Sequence, residues 1–143
     1  MTKQIPKTEK PLVLRTDFTD EIAWKDICQT INTAVKIDET TEFKAYVDIV
    51  SDPVFEGMEQ EEILSLLPED HGQFILFVVD AEAIKNPNHP LLCIDLVGGE
   101  GNNFRVFASD VQGVENNISV GNFCFDELAE LVDVNGVFQG IEL

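Results

Sequence analysis

Apolar and polar positions follow two rhythms along this chain, and each predicts a different element. After Pro11, the run Leu12-Val13-Leu14-Arg15 reads as a short strand leading into Thr16-Asp17-Phe18-Thr19. From about Asp20 to Ala34, residues Ala23, Trp24, Ile27, Cys28, Ile31 and Ala34 recur at helical spacing. Thr19 is the expected N-cap of that helix, with Asp20 and Glu21 placing negative charge in its first turn. Phe43 to Ile49 alternates with period two, the pattern of a strand with one buried face. Strand, helix and strand joined by short connectors predict a right-handed parallel crossover. Glu59 to Leu67 reads as a short amphipathic helix stopped by Pro68.

The second half begins with two unbroken apolar runs, Phe74 to Asp80 and Leu91 to Val97, which suit central strands covered on both faces. Gly98 to Asn103 then turns the chain into Phe104-Arg105-Val106-Phe107, as an antiparallel hairpin. A helix is expected near Ser109 to Asn117. Another is expected from Asn122 to Val134, with Phe125, Leu128, Ala129 and Val132 on one face and Asn135-Gly136 ending it. Residues 1–10 are polar and predict a disordered tail. The expected fold is therefore α/β. It is one domain over 11–143 with a mixed sheet of about five strands, a parallel N-terminal β-α-β unit, an antiparallel hairpin in the second half, and helices packed on the sheet.

Charge changes the picture of partners. The chain has 27 acidic and 9 basic residues, a net charge of −18. Leaving out residues 1–10, 26 acidic residues stand against 6 basic ones, which is −20. Such a surface repels phosphate backbones and anionic lipid, so neither direct nucleic-acid binding nor membrane binding is expected. A basic protein is the expected partner, because the field attracts and steers it. No secretory apolar segment follows the N-terminus and no apolar run approaches the ~18 residues of a membrane span, so the cytoplasm is the expected location. Cys28, Cys93 and Cys124 lie far apart in apolar patterns, and are expected to be small buried hydrophobes.

No complete catalytic or metal-binding motif stands in the sequence, and no cofactor is expected. Gly98-Gly99-Glu100-Gly101 precedes a strand and lacks a lysine, so it reads as a hairpin turn and not a phosphate loop. The only arginines, Arg15 and Arg105, sit in predicted strands, where each pairs with a carboxylate or builds an anion site. Arg15, Asp17 and Asp20 fall at the carboxyl end of the first strand, the favoured ligand position in α/β sheets. A second polar group, Glu115, Asn116, Asn117 and Asn122, could read a partner's backbone or coordinate a hard cation. Acidic residues crowd the segment from Asp52 to Asp70, where Glu59, Glu61 and Glu62 surround Phe55 and Met58. That is the expected partner face, an acidic rim around apolar anchors. The leading expectation is a non-catalytic protein-binding module, of which an immunity or antitoxin-like protein is one instance. The alternatives are a small-molecule- or metal-binding enzyme or sensor, if the Arg15 and Glu115 groups converge, and a nucleic-acid mimic.

The string Leu14-Arg15-Thr16-Asp17-Phe18-Thr19-Asp20 followed by Ala23-Trp24 is joined by Asp52-Pro53-Val54-Phe55-Glu56-Gly57 and by Glu115-Asn116-Asn117 with Asn122. Together these resemble an uncharacterised bacterial family that carries a domain-of-unknown-function label. The resemblance covers about residues 11–143. It implies a single domain of bacterial origin, and it implies no activity, ligand or catalytic residue.

Overall fold

The two unbroken apolar runs become neighbours at the centre of a sheet. A computed structural model describes residues 4–36, 38–98 and 101–141. Within it, β1 (Leu12–Arg15) and β5 (Ile75–Val79) are buried at every position. They pair in parallel, Leu12 opposite Leu76 and Arg15 opposite Val79. β4 (Asp48–Val50) joins the other side of β1, also in parallel. β6 (Pro90–Asp95) and β7 (Asn103–Phe107) continue from β5 as an antiparallel meander. The order is β4-β1-β5-β6-β7, so the sheet is mixed and five-stranded, as expected. A separate two-stranded ribbon pairs β2 (Val35–Lys36) with β3 (Glu42–Phe43).

Strand alternation splits the core into two layers. Val13, Ile75, Phe77, Leu91 and Val106 project to one face, where they meet α1 (Glu21–Asn32), α3 (Ala81–Lys85), α4 (Val111–Ser119) and α5 (Phe125–Ala129). Phe104 stacks on Phe125 at 4.9 Å between ring centres and lies 6.1 Å from Phe138. Leu12, Leu14, Leu76, Val78 and Ile94 project to the other face, which α2 (Gln60–Leu66) covers with Ile63. Each such side chain buried in full contributes about 2 kcal/mol.

Four local expectations change. Asp20, not Thr19, caps α1: its Oδ1 accepts from the Ala23 N–H at 3.0 Å. Thr19 is spent on Asp17, whose Oδ1 accepts from both its N–H and its hydroxyl. Phe43 to Ile49 is not one strand, because residues 44–47 leave the ladder between β3 and β4. The helix expected over Asn122–Val134 is only α5, capped by Glu127 reaching back to the Cys124 N–H. Beyond it the chain folds back, and Val137 bridges Arg105 on the edge of β7. Cys124 at the start of α5 is exposed, whereas Cys93 is buried and Cys28 half-buried.

Residues 4–10 also differ from the disordered tail expected over 1–10, of which residues 1–3 lie outside the described residues. Ile5 packs into the layer under α2 and its N–H donates to the Leu66 carbonyl. Lys7 pairs with Asp70 at 2.9 Å, and Gln73 donates to the Thr8 carbonyl. Burial of one isoleucine outweighs the entropy that the polar sequence around it favours. Gly99 and Glu100 of the expected β6–β7 turn lie outside the described residues. Among the described residues, no helix is long and apolar enough to cross a membrane.

Candidate functional site

The charges at the carboxyl ends of the parallel strands are consumed by one another. Arg15 lies at the end of β1, 2% exposed, with its guanidinium 4.2 Å from the ring centre of Phe18 and 4.7 Å from that of Trp24. Its Nε donates to the Asp17 carbonyl, and its terminal nitrogens donate to both carboxylate oxygens of Glu21 and to the Ser51 hydroxyl. Glu21 is held below the ordinary glutamate range by that hydrogen bond. Arg105 is likewise taken up, forked onto Asp80 at 2.8 Å per bond and paired with Glu82 at 2.9 Å. Asp17 and Asp20 serve the turn and the cap already described. Arg15, Asp17 and Asp20 are therefore all taken up in structural bonds, and the arginine has little donor capacity left for an anion.

His89 sits in the same layer with φ of +50°, a left-handed conformation costly for a non-glycine residue. Its Nδ1 meets the Ala83 carbonyl at 2.8 Å and its Nε2 meets Asp26 at 2.9 Å. The ring thus ties α1 to α3 and β6, as a structural brace. Burial pushes the Cys93 thiol well above the ordinary range and the Cys28 thiol upward, the opposite of an activated nucleophile.

The second polar group behaves differently. Glu115 is only 3% exposed, and no ion pair of the described residues includes it. Its Oε1 accepts from the Tyr46 N–H at 2.6 Å and from the Asn116 amide at 2.9 Å, and its Oε2 accepts from the Ser119 hydroxyl at 2.6 Å. Asn116 also donates to the Lys44 carbonyl. Two consecutive residues of α4 thereby hold the backbone of residues 44–46 out of the sheet. Asn117 donates to the Gly113 carbonyl, and its own side-chain oxygen faces the Asn122 amide at 3.4 Å.

The pinned segment forms one wall of a cleft of about 830 Å³ that α4 closes on the other side. Glu115, Asn116, Asn117 and Asn122 all line it, as do Phe43 and Tyr46. These two aromatic residues remain 45% and 60% exposed. Pro11 also lines it, so the cleft opens at the amino end of β1, away from Arg15 at the other end. The two expected polar groups share no hydrogen bond, and no Arg15-group residue lines the cleft.

Asp110, just before α4, is a further acid lining the cleft. It precedes the helix but makes no capping hydrogen bond to it. Burial pushes its carboxyl above the ordinary aspartate range. A raised folded-state value means that the folded protein holds this proton to higher pH than the unfolded chain does. Ionisation then costs stability as pH rises past the unfolded value near 4. Asp110→Asn is expected to be more stable than the parent at pH 7, by less than about 1 kcal/mol because solvent screens a half-exposed group. The gap is expected to shrink toward pH 4. Urea unfolding at both pH values checks this, and an Asn variant less stable at pH 7 would refute it.

The expected partner face is corrected in one respect. Phe55 and Met58 are 2% and 5% exposed, packed with Ile63 and Leu14 in the layer under α2. They are core, because the turn at Pro53–Phe55 folds them inward, where their apolar area leaves water. Glu59, just before α2, and Glu61 and Glu62 on it stay exposed. Phe43, Tyr46 and Asp110 are among the cleft residues the sequence analysis did not single out. The available signal was Tyr46, an aromatic residue on the outward parity of the Phe43–Ile49 alternation.

Among the described residues, no three His, Cys, Asp or Glu side chains are grouped to hold a metal ion. No curated protein matches the chain. A family model for a domain of unknown function, DUF6924, matches residues 10–141, and the chain belongs to that family.

Proposed function

We infer that the protein is a non-catalytic binding module for a basic protein, and that contact centres on the cleft between α4 and the Phe43–Tyr46 wall. One observation carries this reading: two large aromatic side chains stand exposed on the rim of a cleft of about 830 Å³ in a chain with net charge −18. Exposed tyrosine and phenylalanine beside a pocket are what binding hot spots are made of. The surrounding charge speeds encounter with a cationic partner and rejects anionic ones. The internal pairing of Arg15, Arg105 and His89 further favours binding over catalysis, because those groups brace the fold.

Tyr46→Ala tests the reading with little risk to the fold, since the side chain is largely exposed and only its backbone N–H bonds Glu115. Lysate of the source organism is passed over the parent and the variant at low and at high salt. The parent is expected to retain a basic protein at low salt and release it at high salt, with the variant retaining little at either. Identical capture by both proteins would overturn the assignment of the contact to this cleft.

A further inference from the structure

The cleft is apolar along most of its wall yet carries an acid with nothing to pair it. Among the described residues, four charged ones line it: Glu9, Lys10, Asp110 and Glu115. Glu115 is occupied by three internal donors. Glu9 and Lys10 are exposed at the rim and offset each other in charge. Asp110 is half-buried and caps nothing, and no ion pair of the described residues includes it. A carboxylate desolvated without a partner is unfavourable, and the natural remedy is a cation brought by the occupant. Phe43 and Tyr46 line the same cleft, and aromatic faces attract organic cations while covering an alkyl stem.

We propose that this cleft receives one basic side chain of the protein partner, a cationic head on an alkyl stem, with Asp110 supplying the countercharge and Phe43 and Tyr46 the apolar and π contact. This rests on the binding-module reading and names its chemistry. The volume of about 830 Å³ accommodates such a side chain together with the backbone that presents it. Neutral or anionic side chains would leave Asp110 unpaired or repelled, so the site discriminates by charge as well as by shape.

The test uses small probes, n-butylguanidinium and n-butylammonium, with butanol and butyrate as neutral and anionic counterparts. Each is titrated into ¹⁵N-labelled full-length protein and followed by backbone amide shifts. The cations are expected to bind saturably, in roughly the millimolar range for so few atoms, with shifts centred on Tyr46, Gly113 and Asn117. Asp110→Asn and, separately, Tyr46→Ala are each expected to weaken the cations about tenfold, the worth of one charge-assisted or cation–π contact. Butanol binding as tightly as the cations would overturn the proposal. So would cation shifts centred on Glu59–Glu62 and indifferent to Asp110→Asn, or no binding by any probe. The two readings fail separately: cation binding in the cleft with no basic protein captured faults the partner, while capture that survives Asp110→Asn faults the cation site.

Discussion

Truncating Glu115 to alanine is expected to cost about 3 kcal/mol of stability, while Glu115→Gln costs less than about 1 kcal/mol. The asymmetry follows from the donors. Oε1 accepts from the Tyr46 N–H and the Asn116 amide, and a glutamine oxygen can occupy that position unchanged. Oε2 accepts from the Ser119 hydroxyl, which can rotate and accept from a glutamine N–H instead. Alanine strands all three donors and leaves a void beside α4. It also releases residues 44–46 from the helix, so the cleft should lose its wall in the alanine variant and keep it in the glutamine one. Urea unfolding gives the stabilities, and amide exchange at Tyr46 reports on the wall. Equal destabilisation by both substitutions would show that the negative charge matters, and not the hydrogen-bond geometry.

Arg15→Ala is the second large effect, expected at about 3 kcal/mol, with Arg15→Lys at about 1–2 kcal/mol. Glu21 is more than half exposed, so leaving it unpaired costs little. The loss comes instead from the planar head filling the space beside Phe18 and Trp24, and from the Asp17 carbonyl and Ser51 hydroxyl that it satisfies. Lysine keeps the charge but cannot span Asp17, Glu21 and Ser51 at once. Trp24 is the only tryptophan, so its fluorescence should change locally in both variants before unfolding begins. An Arg15→Ala protein as stable as the parent would mean that the network is replaceable, and would reopen the carboxyl end of β1 as a ligand position.

Much of the fold was legible because it rests on local pattern. The runs containing Ile75–Val79 and Leu91–Ile94 are apolar at every step, and runs this short between turn residues suit a strand buried on both faces. The β6–β7 hairpin follows from the turn residues between two strands. What escaped depends on contacts made far along the chain. The break at 44–47 exists because Glu115 and Asn116 claim backbone groups that a strand would have paired. Ile5 gives no periodic signal, being one apolar residue among polar ones, and only the apolar layer under α2 explains its burial. Phe55 and Met58 look alike in sequence whether they face solvent or core. At the site, the cluster Glu115-Asn116-Asn117 with Asn122 was visible as unusual polarity, and it lines the cleft. Its aromatic wall carried only the weak signal of Tyr46 on the outward parity of the alternation, which reads equally as an ordinary strand residue.

The strand order has a consequence for the way the chain reaches this structure. β5, β6 and β7 follow one another in sequence and pair as neighbours, so closing their loops costs little entropy. β1 leaves the ribosome first, yet its two partners are β4 and β5, both far along the chain. We infer that the meander condenses early and that β1 slots in late, carrying Ile5 with it to seal the second layer. Conservative truncations in β1 should then mainly speed unfolding, whereas those in β5 and β6 should mainly slow folding; stopped-flow kinetics showing the reverse would place the nucleus at β1. Until that last insertion, the edges of β4 and β5 stand open to pairing with other chains, so the interval before β1 docks is when aggregation threatens most.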